Sequence, residues 1–307
     1  MELKYQVYIN NQLSELATEK LMNFGIEDNS GLQLDSLDLS INNADDSITI
    51  PQTNAVIEIA IGYDGELFKM GKFVAQNINA TSSVISIKAI SQDLTKGRIK
   101  YNRVFKQKTL DDVLKTLASD LSLSLQLDNN LKTNQIAYYL QENKTSLEIL
   151  AELSEIFYSI ANIKDNKLVF VSKENTKSIE ILEEDILSIT KQDVNNKHYA
   201  GVIYNSWNIK EAKLESTKLG NETYLILQNS VDESIKNSYI NSKYKEIQEK
   251  QYINVSLKQG NPNLQAGFSF TLKVAEQYSQ FNGKYRIEKV THKYNNTYVT
   301  SILAVNI

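Results

Sequence analysis

Residues 260–272 read "GNPNLQAGFSFTL" and contain one of only two prolines in a chain of 307 residues. Asn-Pro is a pair that starts turns, and Gly267 can supply the positive φ that a turn needs before a strand. Phe268, Phe270 and Leu272 then alternate with other residues, which is the period of a half-buried strand. The stretch therefore predicts a turn that leads into a β-strand, and the rest of the chain has to explain what the turn serves.

Length and composition limit the class of protein. A chain of 307 residues predicts two domains by the usual yardstick of about 150 residues each. The absence of cysteine excludes a disulfide scaffold, a thiolate metal site and a cysteine nucleophile. The net charge of −4 argues against wholesale coating of nucleic acid. No signal peptide and no long apolar run is present, so we expect a chain that is made and kept in the cytoplasm and has no membrane span.

The first hundred residues have the pattern of short strands separated by polar turns. "YDGE" at 63–66 predicts a β-hairpin, because Asp-Gly is the strongest short hairpin signal. Residues 16–24 fit either a helix or a strand, and the surrounding strands favour a strand. Alternating apolar positions predict the other strands of a small β-barrel or sandwich, at residues 37–41, 57–63, 73–78 and 84–90.

The hydrophobic period changes near residue 104. "TLDDVLKTLASDL" and "TSLEILAELSEIFYSI" have helical spacing, and each begins with a capping box, Thr109 with Asp112 and Thr145 with Glu148. "NKLVFVS" at 166–172 returns to a strand. From Tyr199 onward strands dominate again, interrupted by one amphipathic helix that contains Val231, Ile235, Tyr239, Tyr244 and Ile247.

This order of elements predicts an α+β, mainly β fold. Two tube-forming β-barrel-like domains, residues 1–103 and 191–307, flank a small α+β middle domain, residues 104–190. We find no tandem repeat in the sequence.

Few residues have the pattern of a catalytic or metal site. Glu183, Glu184 and Asp185 are adjacent, so they cannot flank one bond from opposite sides, and a solvated turn is the better interpretation. His198 and His292 lie in no ligand-spaced cluster, which favours structural roles. Ser242 and Lys245 form an S-x-x-K pattern, but it lies inside the amphipathic helix and lacks its companion motifs. No phosphate-binding glycine loop is present. We therefore predict no enzyme activity, no catalytic residue, no metal ligand and no cofactor.

The basic connector, residues 96–108, "KGRIKYNRVFKQK", is the strongest binding candidate. Basic residues with aromatic residues between them could follow a nucleic-acid backbone and stack bases. A solvated domain junction explains the same pattern more simply, and an acidic surface on a neighbouring subunit is a third interpretation. Its basic residues are Lys96, Arg98, Lys100, Arg103, Lys106 and Lys108, and its aromatic residues are Tyr101 and Phe105.

The order of motifs resembles the baseplate or tail hub proteins of contractile-tailed phages, the late control D family. This family is related to the hub of T-even phages and to the amino-terminal region of VgrG secretion spikes. The resemblance begins with "SGLQLDSLDLSI" and "IPQTNAVIEIAIGYDGELFKMGKFVAQNI", and continues with "RVFKQKTLDDVLKTLA", "QENKTSLEILAEL" and "DNKLVFV". It ends with "VDESIKNSYINSKYKEIQ", with "VSLKQGNPNLQAGFSFTL" and with the closing hairpin that contains Tyr285, Val290 and His292.

The resemblance implies a structural protein of a virion tail baseplate, assembled in the host bacterial cytoplasm. A homotrimer would form a pseudo-sixfold ring that adapts the tail tube to a trimeric spike. The tail tube protein, the spike protein, baseplate wedge proteins and the tape measure protein are the implied partners, with no membrane. The hub of a tailocin or related injection system is the alternative in the same class, and a nucleic-acid-binding module that uses residues 96–108 is the alternative in another class.

Two structural expectations follow from the resemblance. The two end domains should superpose although the sequence shows no repetition, because pseudo-sixfold packing needs two wedges of similar shape in each chain. The channel of the ring should be lined by short polar or mildly acidic side chains, and the basic connector should face away from the channel.

Overall fold

The first β unit of the chain accounts for residues up to about 90. The structure is a computed structural model that describes residues 2–91, 96–193, 199–208, 211–221, 223–227, 231–249 and 251–307. Alternating apolar side chains of this unit form one buried cluster, as the sequence predicts. Its elements are β1 (Leu3–Ile9), β2 (Gln12–Leu13), α1 (Glu15–Glu19), β3 (Leu21–Asn29), β4 (Ser36–Asn42), β5 (Val56–Tyr63), β6 (Glu66–Ala80) and β7 (Val84–Ile90).

The predicted hairpin at 63–66 is confirmed, and part of the predicted strand at 16–24 is wrong. Tyr63 pairs with Glu66, and both turn residues have positive φ, 53° at Asp64 and 96° at Gly65. Residues 15–19 form the helix α1 because the Ser14 side chain caps it by accepting from the Ala17 amide, and Ala17 is buried. The strand begins only at Leu21.

The middle of the chain contains both predicted helices and the predicted strand at 166–172. Both capping boxes are present, Thr109 with Asp112 and Thr145 with Glu148. The elements are a 3-10 turn (Lys96–Arg98), β8 (Lys100–Thr109), α2 (Leu110–Asp120), β9 (Ser124–Leu127), a second 3-10 turn (Asn129–Leu131), β10 (Gln135–Thr145), α3 (Ser146–Ile156), β11 (Ser159–Lys164) and β12 (Lys167–Ser172).

The last part of the chain is mostly strand and includes the predicted amphipathic helix, α4. Phe270 and Leu272 are fully buried in the strand that follows the opening stretch, as their alternation predicts. The elements are β13 (Ser178–Glu180), a 3-10 turn (Glu183–Asp185), β14 (Ile186–Asp193), β15 (Gly201–Asn208), β16 (Lys213–Gly220), β17 (Tyr224–Leu227), α4 (Glu233–Glu246), β18 (Gln251–Leu257), β19 (Ser269–Leu272), a 3-10 turn (Glu276–Phe281), β20 (Gly283–Asn295) and β21 (Thr297–Asn306). Within the described residues, no helix is long and apolar enough to cross a membrane.

The buried clusters do not follow the predicted domain bounds of 1–103, 104–190 and 191–307. The middle cluster runs from Phe105 to Ile247, because α4 and the sheet β16-β15-β17 pack their apolar faces against α3 and its neighbours. The third cluster contains Ile181 together with residues of β18 to β21. Strands β13 and β14 therefore belong to the last β unit, and residues 199–248 return to the middle unit. The bounds as independent folding units stay a prediction.

The two β units have the same strand order. Along the chain each has six strands, and in space both follow the order second, third, sixth, fifth, fourth, first: β3-β4-β7-β6-β5-β1 and β14-β18-β21-β20-β19-β13. All pairs are antiparallel in both units except that β13 runs parallel to β19. A short helical turn follows the first strand in each unit. The shared topology agrees with the expectation that the end domains superpose.

Register and irregularities also match between the two units. Pairing of β6 with β7 shifts between Ala75 and Asn77, and pairing of β20 with β21 shifts at the equivalent place, between Ile287 and Lys289. A second pair of bulges lies between Leu21 and Asn23 in β3 and between Ile186 and Ser188 in β14. Because bulges redirect a strand at a defined place, these matches fix which residues of the two units are equivalent.

Antiparallel pairing of β20 with β3 joins the two β units into one continuous sheet. Seven residue pairs form this seam, from Lys289 with Asn29 to Asn295 with Asn23. Eight strands follow one another across it, in the order β14-β18-β21-β20-β3-β4-β7-β6. Aromatic rings reinforce the seam, since Tyr294 of β20 stacks on Phe24 of β3. The chain thus presents one wide sheet with the middle unit attached to it.

Candidate functional site

One face of the eight-strand sheet is apolar and buried, and the other face is polar. We call the second surface the polar face. Residues on it alternate with core residues, so that Ser36, Asp38 and Ser40 of β4 alternate with Leu37, Leu39 and Ile41. Cross-strand pairing assigns the other members to the same face: Asn23, Gly25 and Glu27; Asn77 and Asn79; Ser86 and Lys88; Ser188, Thr190 and Gln192; Asn254 and Ser256; Thr291 and Lys293; and Val299, Ser301 and Leu303.

The polar face has short side chains and few unbalanced charges. The amino group of Lys88 lies 4.0 Å from Asp38, and that of Lys289 lies 3.3 Å from Glu27, so two of its lysines pair with its two acidic residues. The Ser256 and Ser301 hydroxyls lie 3.3 Å apart. Such a surface offers hydrogen-bonding groups at many points but no strong field of either sign.

A polar cluster joins the middle unit to both β units. The Lys164 ammonium of β11 pairs with Asp28 of β3 and lies 3.6 Å from Asp35. The other Asp28 oxygen accepts from the Ala266 amide of the opening stretch at 2.8 Å. Asp35 accepts from the Asn29 amide at 2.8 Å. A cavity of about 500 Å³ adjoins these groups. The cluster therefore fixes three parts of the chain to one another.

Burial and charge shift the pKa values of this cluster. Burial raises the pKa of Asp35 to about 6 against the opposing effect of Lys164. Burial alone would lower the pKa of Lys164, but the charges of Asp28 and Asp35 outweigh it and raise the pKa above its usual value. Both oxygens of Asp28 already hold a protein donor, and Asp35 already accepts from backbone, so the carboxylates act in holding the backbone in place.

The opening stretch serves as a clamp between β units. The Gly260 amide donates to the Tyr298 carbonyl at 2.9 Å, and a Cβ at Gly260 would lie 2.2 Å from the Tyr298 ring. The Gly267 amide donates to the Ile287 carbonyl at 2.8 Å, and its φ is +87°. The positive φ predicted for Gly267 is confirmed. The turn thus places the Ala266 amide against Asp28 of the other β unit.

His292 is buried and structural, as the sequence predicts. Its Nε2–H donates to the Leu264 carbonyl at 3.3 Å, and its Nδ1 accepts from the Tyr298 hydroxyl at 2.8 Å. Burial lowers the pKa of His292 to about 4. His198 lies outside the described residues. Among the residues that the structure does describe, no group of acidic or histidine side chains is arranged to hold a metal ion.

The other sequence candidates are separated in space. Glu183, Glu184 and Asp185 form an exposed 3-10 turn between β13 and β14, which confirms the solvated turn. Ser242 of the S-x-x-K pattern is buried on α4 and donates to the Glu155 carbonyl of α3. Lys245 pairs with Glu174 at 2.5 Å. The hydroxyl and the ammonium thus each have a structural partner of their own.

The basic connector lies on β8, which pairs with β10 in the middle unit and takes no part in the eight-strand sheet. Arg103 pairs with Asp120, and its guanidinium also lies 4.6 Å from the Tyr101 ring centroid. Phe105 is buried in the middle cluster. One cation and both aromatic rings are therefore engaged inside the chain, which weakens the base-stacking interpretation.

Sequence reasoning missed both the polar face and the duplication. The equivalent stretches read "GKFVAQNI" at 71–78 and "GKYRIEKV" at 283–290. Both begin Gly-Lys-aromatic and end on an aliphatic residue, and both contain the matched bulge. The two prolines of the chain also occupy equivalent loops, Pro51 between β4 and β5 and Pro262 between β18 and β19. Aligning the two halves on these stretches would have found the repeat.

Comparison with known proteins gives one similarity in sequence and several in fold. No protein-family model matches the chain. The probable baseplate hub protein of Escherichia phage P2 is 27% identical over 143 residues. That match covers 45% of this chain and 37% of the P2 protein, which is less than two thirds of the relative.

Solved structures match the fold over the whole chain. A 43 kDa tail protein of prophage MuSo2 from Shewanella oneidensis superposes with a TM-score of 0.74 at 11% identity, covering 99% of this chain and 98% of its own. An Escherichia coli component of the type VI secretion system, described as structurally similar to T4 bacteriophage tail proteins, has a TM-score of 0.61 at 10% identity and covers 100% of this chain and 77% of its own. In sequence the chain is similar to phage baseplate hub proteins, and its fold is that of phage tail proteins, as its motifs indicate.

Proposed function

We propose that this chain is the baseplate hub of a contractile-tailed phage or of a related phage-tail-like particle. Three copies would form a ring of six similar β units that adapts a sixfold tail tube to a threefold spike. The observation that carries the proposal is the duplication: one chain contains two β units with the same strand order in one sheet. A protein with two equivalent units can meet a sixfold partner on one side with three copies.

The polar face supports its assignment to the channel of that ring. A genome must pass a hub without binding to it, and tight binding to nucleic acid needs unbalanced basic charge. The polar face has short uncharged side chains, and the pairs of Lys88 with Asp38 and Lys289 with Glu27 balance most of its charge. The surface is closer to neutral than to the mildly acidic lining that the sequence led us to expect.

The position of the basic connector is consistent with this assignment. Arg98, Lys100, Lys106 and Lys108 are exposed on the middle unit, away from the polar face. In the proposed ring they face outward, where an acidic neighbour is a suitable partner. The tail tube, spike, wedge and tape measure proteins are the partners of the proposed hub, and the virion tail baseplate is its proposed location.

Imaging of the assembled tail tests the proposal. The expected result is three copies of this chain in a ring between tube and spike, with the polar face toward the channel. A copy number other than three, or a location outside the tube axis, would contradict the hub. The same images distinguish a phage from a tailocin, because only the phage particle carries a genome-filled head.

A further inference from the structure

The seam between the two β units has no counterpart at the two ends of the eight-strand sheet. At the seam, residues 289–295 of β20 pair with β3 on one side and with β21 on the other. The equivalent residues of β6 begin at Asn77, and among the described residues they pair only with β7. Strand β14, the equivalent of β3, pairs only with β18 in the described part of the chain. Both ends of the sheet thus expose unpaired strand edges.

Burial differs at equivalent positions in the way that a missing neighbour explains. Val290 and His292 are buried at the seam, whereas their equivalents Ile78 and Ala80 are half-buried and exposed. On the other strand Phe24 is buried, and its equivalent Ile189 is half-buried. The open edges therefore carry the seam's side chains without the cover that the seam gives them.

We propose that residues 77–80 of β6 pair antiparallel with β14 of a second copy of this chain, in the register that the seam displays. This inference rests on the proposed ring and specifies how one copy follows the next. Equivalent bulges set the register. At the seam Thr291 pairs with Glu27. The bulge in β6 makes Asn79 the equivalent of Thr291, and the bulge in β14 makes Gln192 the equivalent of Glu27.

Both faces of the sheet continue across this contact. Asn79 and Gln192 lie on the polar face, so their pairing extends it without interruption. Ile78 and Ile189 lie on the opposite, apolar face, where a neighbouring strand would complete their burial. A slip of one residue would put apolar side chains on the polar face, so the pattern allows few other registers. The occupant that fits is a second copy, because it alone brings the matching strand.

Cysteine cross-linking tests the contact, and the chain contains no native cysteine to interfere. The variant Asn79→Cys/Gln192→Cys should form covalent oligomers under mild oxidation, because directly opposite residues lie within disulfide reach. The control Asn79→Cys/Thr190→Cys keeps one cysteine and displaces the other by two residues on the same face. We expect on the order of ten times less covalent oligomer from the control, since diagonal neighbours exceed the reach of a disulfide.

The outcomes separate this contact from the hub proposal. All three substituted positions are exposed, and circular dichroism of each variant establishes that the fold is retained. Native mass of the same samples reports the ring, and cross-linking reports the edge. A trimer without cross-links overturns the strand pairing and leaves the ring. Equal cross-linking in the control overturns the register. A monomer without cross-links up to the solubility limit overturns both.

Discussion

At the scale of single residues, one backbone geometry occurs twice and is filled by different residues. Gly267 has a φ of +87°, and Asn54 in the first β unit has a φ of +69°. Both amides donate to the strand behind the bulge, Gly267 to Ile287 and Asn54 to Ala75. Each is the third residue of a turn closed by the following amide, as in type II turns. Asn is the residue type other than glycine that tolerates this conformation best.

Substitutions at Gly267 should separate φ from packing. We expect Gly267→Val to lower the free energy of unfolding by about 1–3 kcal/mol, because a β-branched residue is strained at positive φ. A Cβ there meets only ordinary contacts, 3.7 Å from the nearest atom of Asn162, so crowding at the Cβ is not the cause. The matched variant Gly267→Asn copies Asn54 and should cost less. Urea unfolding measures both, and equal losses would show that space matters more than φ.

Pro262→Ala is the companion variant in the same turn. It should cost about 1 kcal/mol or less, through the freer unfolded chain, because no unusual φ depends on the proline. We also expect Gly267→Val to weaken assembly with the spike protein more than Pro262→Ala does. Size-exclusion chromatography with light scattering compares the two variants. A worse assembly defect in Pro262→Ala would assign the constraint to the proline.

His292 should make stability depend on pH. Its pKa falls from 6.5 to about 4 on folding because the ring is buried, so its neutral form is the folded form. The stability it contributes is complete above pH 6.5 and is lost as the pH falls toward 4, up to about 3 kcal/mol at 1.36 kcal/mol per pH unit. Asp35 acts in the opposite direction, since the stability from its raised pKa is lost as the pH rises through about 6.

The variant His292→Gln isolates this contribution. Urea unfolding of both proteins between pH 7 and pH 4 should show a shallower loss of stability in the variant toward acid. Asp35 is present in both proteins, so its contribution cancels in the difference between the two slopes. Parallel slopes would mean that His292 takes up its proton in the folded state.

At the scale of elements, local signals decide the helices. In α3 the Thr145 hydroxyl accepts from the Glu148 amide at 3.2 Å, and the Glu148 carboxylate accepts from the Thr145 amide at 2.7 Å. These bonds satisfy donors that a helix start leaves open. The same box starts α2. Both helices are therefore predicted correctly from neighbouring residues alone.

Removal of a cap should have a measurable cost. Thr145→Ala should lower the free energy of unfolding by about 1 kcal/mol, because it frees the Glu148 amide and removes the partner of the box. Ser154→Ala, on the same helix but away from its start, is the control and should change stability within about 0.5 kcal/mol. Thermal or urea unfolding compares them. A larger loss in Ser154→Ala would contradict the importance of the cap.

At the scale of the whole molecule, one buried lysine holds three parts together. Lys164 of the middle unit neutralises Asp28 and Asp35 of the first β unit, and Asp28 binds the turn of the last β unit. Removing the lysine leaves two carboxylates uncompensated in a buried place. A second ion cluster acts similarly, since Arg286 of β20 is buried and pairs with Glu249 at 3.0 Å and Glu288 at 2.9 Å.

Lys164→Met should therefore lower the free energy of unfolding by about 3–5 kcal/mol at neutral pH. Its effect should shrink toward acid, because protonation of Asp35 removes one of the uncompensated charges. Lys167→Met, two strand residues away and exposed, is the matched control and should have little effect. Urea unfolding at pH 7 and pH 5 measures both, and a loss independent of pH would indicate missing packing in place of missing charge.

Sequence alone determined the elements whose signals are local. The capping boxes, the Asp-Gly hairpin, the alternating strands and the turn before Phe268 depend on residues within one or two turns of each other, so their pattern is sufficient. The resemblance to hub proteins followed from the order of these elements. The short helix α1 was missed because a single capped turn, held by Ser14 and the burial of Ala17, differs little from a strand in so short a window.

Tertiary structure alone decided how the elements are shared among units. Whether β13 and β14 join the last β unit, and whether α4 packs on the middle unit, depends on apolar faces that fit equally well in either place until their partners are present. The seam between β20 and β3 joins residues 262 positions apart, as in the contact of Lys289 with Glu27, and no local pattern specifies such a pair. The duplication stayed hidden for the same reason: equivalence here lies in pairing and bulges, and those exist only in the folded sheet.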